Sequence, residues 1–203
     1  MTGGGPLRSV LADAQRIGLL GPQAVETHIH HAEAWADSLA PAPLLDLGSG
    51  AGVPGLVFAV RWPGVEAALL DGQTRRTAWL RTATVRLGLE DRVQILEGRA
   101  EDLGHAPELR ERFPLVVARG FGPAATTAEC GSAFVEVGGR LSVSEPPEVG
   151  SGRWPEAELA RLSLQVEEQV VQPGGTFVIL RKHAPLAVEV PRLRNLPLRK
   201  PLW

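Results

Sequence analysis

The stretch "LLDLGSGAGVPGLVFAV", residues 44–60, decides the fold. A short apolar run ends in a loop that holds Gly48, Gly50 and Gly52, and a second apolar run, "LVFAV", follows it. The first run reads as a buried parallel strand and the second as the start of a helix, so the glycines lie where a strand hands over to a helix. Glycine permits both a tight turn and close approach of the backbone to a ligand. Pro54 suits the first turn of the helix, where its missing N–H costs nothing. The loop lacks the Gly-Lys-Ser/Thr ending of a triphosphate site, and its third glycine falls two residues after the second, where a dinucleotide loop needs three.

The same design recurs downstream. "PLLDL" (43–47), "VEAALLD" (65–71), "RVQILEG" (92–98) and "PLVVARG" (114–120) are apolar runs ended by turn residues, and a fifth strand is expected in "GGRLSVSE" (138–145). Between them lie helical stretches such as 73–88, where Leu80, Ala83 and Leu87 share one face, and 123–136. Alternating strand and helix predicts an α/β architecture with a mostly parallel sheet. "LSLQVEEQVV" and "TFVILRK" then flank "QPGG", which predicts an antiparallel hairpin closing the sheet. The loop over 145–158 is the segment expected to be most flexible.

Composition narrows the classes. The chain of 203 residues is 44% apolar and 22% charged, enough for one sizeable core. A helical extension over 1–40, broken at "GLLGP", leads into a body over 41–203, and the two are expected to form a single compact domain. The single cysteine, Cys130, excludes an internal disulfide framework and a four-cysteine zinc site. No basic and apolar leader opens the chain and no run of about 18 apolar residues is present, so a cytoplasmic protein with no membrane partner is expected. A net charge of -2 and a pI near 6.2 argue against coating nucleic acid through a global basic field. Local patches remain: Arg75, Arg76, Arg81 and Arg86 in one helix, and Arg181, Lys182, Arg192, Arg194, Arg199 and Lys200 toward the end, unless these are solvated charges. His28 and His31 stand near metal-ligand spacing, but no carboxylate or cysteine matches them and no metal is expected.

Asp71 lies 21 residues past Gly50 and closes the second strand, where a carboxylate accepts hydrogen bonds from ribose hydroxyls. Arg99, Ala100 and Glu101 in "GRAEDL" follow the third strand, where an adenine could be sandwiched and hydrogen-bonded. With the glycine loop, these positions describe a ligand with an adenosine half and no pyrophosphate, and S-adenosylmethionine fits.

"DLGSGAGVPGL", followed by "LLDGQTRRTAWLR", "GRAEDL", "VVARGFGP" and "VGGRL", resembles the 16S rRNA guanine-N7 methyltransferases of the RsmG (GidB) family. The tail "PRLRNLPLRKPL" is similar to that family's basic, proline-rich C-terminal motif, and the similarity runs over residues 17 to 202. The resemblance implies a Rossmann-like class I fold with a mostly parallel seven-stranded sheet, S-adenosylmethionine as cofactor, and 16S rRNA or the small ribosomal subunit as partner. It assigns Asp46, Gly48, Ser49, Gly50 and Gly52 to the cofactor, Asp71 and Gly72 to the ribose side, and Arg99, Ala100 and Glu101 to the adenine. Arg119 would sit beside the methyl group and the target base as the catalytic residue and also belongs to the cofactor set, contacting guanine O6 and N7 or pairing with a phosphate or the S-adenosylmethionine carboxylate. Arg192, Arg194, Arg199 and Lys200 would hold RNA phosphates.

The chemistry suits what the chain lacks. Guanine N7 has a free lone pair and carries no proton, so methylation there needs alignment and desolvation, not a general base. A pyrimidine C5 methyltransferase would need a cysteine nucleophile, whereas Cys130 reads as buried core. An adenine N6 methyltransferase would be expected to show an Asn/Asp-Pro-Pro-aromatic run where this chain has "ARGFG". The chain departs from the family after the fifth strand: Ser144 and Glu145 of "VSEPPE" stand where a Lys-Gly pair is usual, and an acid at the site mouth repels phosphate. Upstream of the first strand, only His31 of "HIHHAEAWADS" matches the family's Arg-His pair. A small-molecule acceptor selected by an acidic rim at Glu145 and Glu148, and a relative that binds without turnover, therefore stand beside the rRNA reading.

Overall fold

The computed structural model describes residues 4–146 and 152–203. The apolar runs form β1 (Leu44–Leu47), β2 (Ala67–Asp71), β3 (Val93–Glu97), β4 (Phe113–Ala118) and β5 (Val135–Glu145), and the C-terminal hairpin is β6 (Leu164–Gln172) and β7 (Gly175–Lys182). They make one sheet in the order β3-β2-β1-β4-β5-β7-β6, parallel except for β7, which runs antiparallel to both of its neighbours. Every residue of β1 and β2 is buried, which explains why these strands read as unbroken apolar runs.

The pleat sends alternate residues to two cores. Leu44, Leu69, Leu115 and Val117 face one side, packed against Leu7 and Leu11 of α1 (Gly4–Arg16), Trp35 of α2 (Val25–Asp37), Phe58 of α3 (Gly55–Arg61) and Leu80 of α4 (Thr74–Leu87). Leu45, Leu47, Leu70 and Val116 face the other, against Ala100 of α5 (Ala100–Leu103), Cys130 of α6 (Ala124–Ser132) and Leu159 of α7 (Glu156–Arg161). A last short helix, α8 (Leu196–Arg199), lies on α6. The N-terminal helices share the core of the body: Trp35 stacks on Phe177 of β7 with ring centroids 5.0 Å apart and donates from Nε1 to Ser142 Oγ of β5 at 2.8 Å.

Three boundaries differ from the sequence reading. β5 begins at Val135, not 138, because Val135 pairs with Phe113 before the register shifts at Gly138, whose φ is +88°. The helix expected over 123–136 accordingly stops at Ser132. Of the loop expected over 145–158, residues 147–151 lie outside the described residues, and its end is already helix α7.

Candidate active site

The strand order reverses between β1 and β4, and in such sheets ligands bind in the crevice beyond the carboxyl ends of the strands at that point. The glycine loop leaves β1 there and Arg119 leaves β4 there. Gly48 has a φ of +75°, and a Cβ on it would fall 2.6 Å from a ring carbon of Phe121, so only glycine lets the two loops meet. Gly52, at φ +100°, would drive a Cβ to 2.3 Å from Leu56. Ser49 Oγ donates to the Asp46 carbonyl at 2.8 Å, and Trp79 Nε1 donates to the Ala51 carbonyl at 3.2 Å, so the loop is tied at both flanks.

Asp46 is buried, and its Oδ2 accepts from the Gly55 amide at 2.9 Å, while Oδ1 has no partner. Burial raises its pKa to about 7; the Asp71 charge adds to the rise, and the Gly55 amide, Ser49 and Arg119 oppose it. On the adjacent strand, Arg119 Nη2 donates to His28 Nδ1 at 2.7 Å, and its buried Nη1 is likewise unpartnered. An arginine can only donate, so His28 is neutral at Nδ1 and uses Nε2 to donate to the Gly21 carbonyl at 3.4 Å. Burial and the Arg119 charge both lower the His28 pKa, which keeps it in that form. Neither His28 nor Gly21 was singled out for this site from the sequence; the signal lay in "GLLGP", which sets Gly21 under the His28 ring.

Next to this crossover lies a cavity of about 250 Å³. Asp71 forms its floor, with Oδ2 accepting from the Gly50 amide at 3.0 Å and Oδ1 from the Gln73 amide at 2.9 Å. Gly72, Arg99, Ala100 and Glu101 line one wall, so the positions singled out after the second and third strands do meet around one space. Glu101 is buried and accepts from Arg99 Nε at 2.5 Å. Cys130 lines the cavity too, and burial with the nearby Glu101 and Glu129 carboxylates raises its thiol pKa, so it stays protonated and is no nucleophile. Phe121 of "RGFG" divides this cavity from a second one, of about 290 Å³, bounded by Gly120, Ser144, Glu145 and Arg153.

The acidic rim expected at the second cavity is corrected. Glu145 is buried, with Arg153 Nε 2.7 Å from its Oε2 and Trp154 Nε1 donating to its Oε1 at 3.0 Å, so a cation stands beside the acid at the site mouth. Glu148 lies outside the described residues. His31 bridges elements: Nδ1 donates to the Gly174 carbonyl at 2.8 Å and Nε2 accepts from Ser144 Oγ at 2.9 Å. Among the described residues no group of three or more His, Cys, Asp or Glu side chains could hold a metal ion, and no helix is long and apolar enough to cross a membrane.

Two of the basic positions are also corrected. Lys182 is fully buried and donates to the Ser132 and Val135 carbonyls, with Glu111 2.7 Å away, so it is no surface charge. Arg192, half-buried, grips the buried Glu129 with two donors at 2.9 and 2.7 Å, so its guanidinium is already paired within the protein. Arg194, Arg199 and Lys200 are exposed. In α4, Arg81 pairs with Glu97 and Arg86 with Asp13, which makes them ion pairs of the helix surface.

The sheet order, the glycine loop and an acid closing β2 at a single cavity define a class I methyltransferase fold. Solved structures agree: an O-methyltransferase family protein from Burkholderia thailandensis superposes with a TM-score of 0.58 at 13% identity, over 87% of this chain and 58% of that one. The antibiotic-resistance methyltransferase Kmr gives 0.55 at 16% identity, over 74% and 91%. Residues 14–171 match the family model described as rRNA small subunit methyltransferase G, and the chain belongs to that family. It is 36% identical over 173 residues to the ribosomal RNA small subunit methyltransferase G of Moorella thermoacetica, covering 79% of this chain and 70% of the relative. The protein of the same name from Roseiflexus is 33% identical over 180 residues, covering 83% and 73%.

Proposed function

We propose that the protein transfers a methyl group from S-adenosylmethionine to N7 of a guanine in the RNA of the small ribosomal subunit. The observation that carries this reading is the pair of buried, unpartnered polar atoms at the crossover: the acceptor Asp46 Oδ1 and the donor Arg119 Nη1. A buried polar atom without a partner costs free energy, and a ligand with complementary groups recovers it. The residues fit the cofactor: Asp46 Oδ1 would take the ammonium of its methionine end, Asp71 the ribose hydroxyls, and Ala100 with Glu101 the adenine. Asp71 is held by two backbone amides and keeps lone pairs for those hydroxyls. Bound there, S-adenosylmethionine supplies an electrophilic methyl group on a sulfonium.

The remaining residues align and desolvate. His28 holds Arg119, and Arg119 directs Nη1 to the acceptor atoms of the guanine, O6 being available while N7 attacks. No side chain has to remove a proton: His28 Nδ1 is occupied, Cys130 stays a thiol, and Asp46 is given to the cofactor ammonium. Arg153 beside Glu145 offsets the acid at the mouth, so RNA phosphate is not turned away there. Substituting Arg119→Ala should lower methyl transfer by on the order of 10²-fold, as for loss of one preorganised donor. S-adenosylmethionine affinity should change far less, and equal losses in both would overturn the assignment of Arg119 to the target side.

A further inference from the structure

We propose that the C-terminal segment Asn195–Leu198 is a wall of the cofactor site, so that the chain closes its adenosine cavity with its own tail. This rests on the S-adenosylmethionine reading above. Asn195, Pro197 and Leu198 line the same cavity as Ala100 and Glu101. The segment is stitched down by hydrogen bonds to the body, two of them to the buried Glu101 and Thr126. The Asn195 amide donates to Glu101 Oε1 at 3.1 Å, its side-chain oxygen accepts from Arg99 Nη2 at 2.7 Å, and Thr126 Oγ1 donates to the Pro197 carbonyl at 2.7 Å. Upstream, the backbone amide and guanidinium of Arg192 both bind the buried Glu129, and Nη2 reaches on to the Lys200 carbonyl at 2.8 Å. Glu129 is buried and Arg192 half-buried, and the pair is held by three hydrogen bonds, unlike a fully exposed one.

Leu198 sits on this pinned segment with 51% of its surface exposed, at the cavity. An apolar side chain held at a cavity lined with groups suited to a nucleoside is covered when a flat, apolar face enters, and the adenine ring is such a face. The same glutamate that anchors the tail, Glu101 of α5, is one of the residues given to the adenine, so the tail and the start of α5 form one binding surface.

Titration calorimetry of the full chain with S-adenosylmethionine tests this. Leu198→Asp should weaken binding by about tenfold or more, whereas Leu198→Met should restore it. Leu193→Asp is the matched control: it is the same change at another exposed leucine of the tail that does not line the cavity. It should leave affinity unaltered. Wild-type affinity in Leu198→Asp, or equal losses in both aspartate variants, overturns the wall. Failure of the wild-type chain itself to bind overturns the cofactor reading, and the wall with it.

Discussion

Asp46 shows how a single side chain carries the cost of a site. Burial raises its pKa from the ordinary 3.8 to about 7, so between those values the folded protein holds a proton that the unfolded chain has released. Stability contributed by this group is therefore present at acid pH, falls as pH climbs through that window by about 1.4 kcal/mol for each pH unit, and is flat above it. Asp46→Asn keeps an acceptor for the Gly55 amide and removes the ionisation. Relative to wild type, the variant should gain stability in urea melts from about pH 4 to about pH 7 and no more above that. A difference between the two proteins that does not move with pH would mean that the carboxyl is already ionised in the free protein. The same substitution should weaken S-adenosylmethionine binding, since an amide attracts an ammonium less than a carboxylate does. His28 is the converse case, a base kept neutral by burial and by the Arg119 charge that its Nδ1 lone pair holds.

At the scale of elements, the tail has two sides to its chemistry. Arg192 faces inward to Glu129, while Arg194, Arg199 and Lys200 face water. If the outer residues hold RNA phosphates, the double variant Arg199→Ala, Lys200→Ala should flatten the dependence of log affinity on log salt by about 0.7 for each single-strand phosphate that is no longer neutralised. An unchanged slope would assign those charges to solvent. The tail was also where sequence reading reached least. "PRLRNLPLRKPL" has no helical or strand period, and its partners, Glu101 and Glu129, stand more than sixty residues away in α5 and α6. The parallel strands were legible because burial on both faces leaves an unbroken apolar run, and the glycine loop, Asp71 and Ala100 because strand ends bring them together in any such sheet. Glu145 misled because its neutralising partner, Arg153, stands eight residues on, at no spacing that a local helical or strand pattern encodes. Gly138 and Gly139 read as the start of β5 and proved to lie at a register shift within it.

For the whole molecule, a net charge of -2 leaves local groups to meet RNA under the proposed function: Arg194, Arg199 and Lys200 of the outer tail, and Arg153 beside Glu145 at the mouth. The N-terminal helices are part of the same device, since α2 delivers His28 to Arg119 and His31 to Ser144 while Trp35 locks it onto the sheet. The two cavities share only Gly120 and Phe121, where the glycine loop and the β4 loop touch. The direct test is transfer of labelled methyl from S-adenosylmethionine to purified small ribosomal subunits that lack their own guanine-N7 methyl group. Label confined to N7 of one guanine is the predicted result; no label, from protein shown in the same tube to bind S-adenosylmethionine, would contradict it.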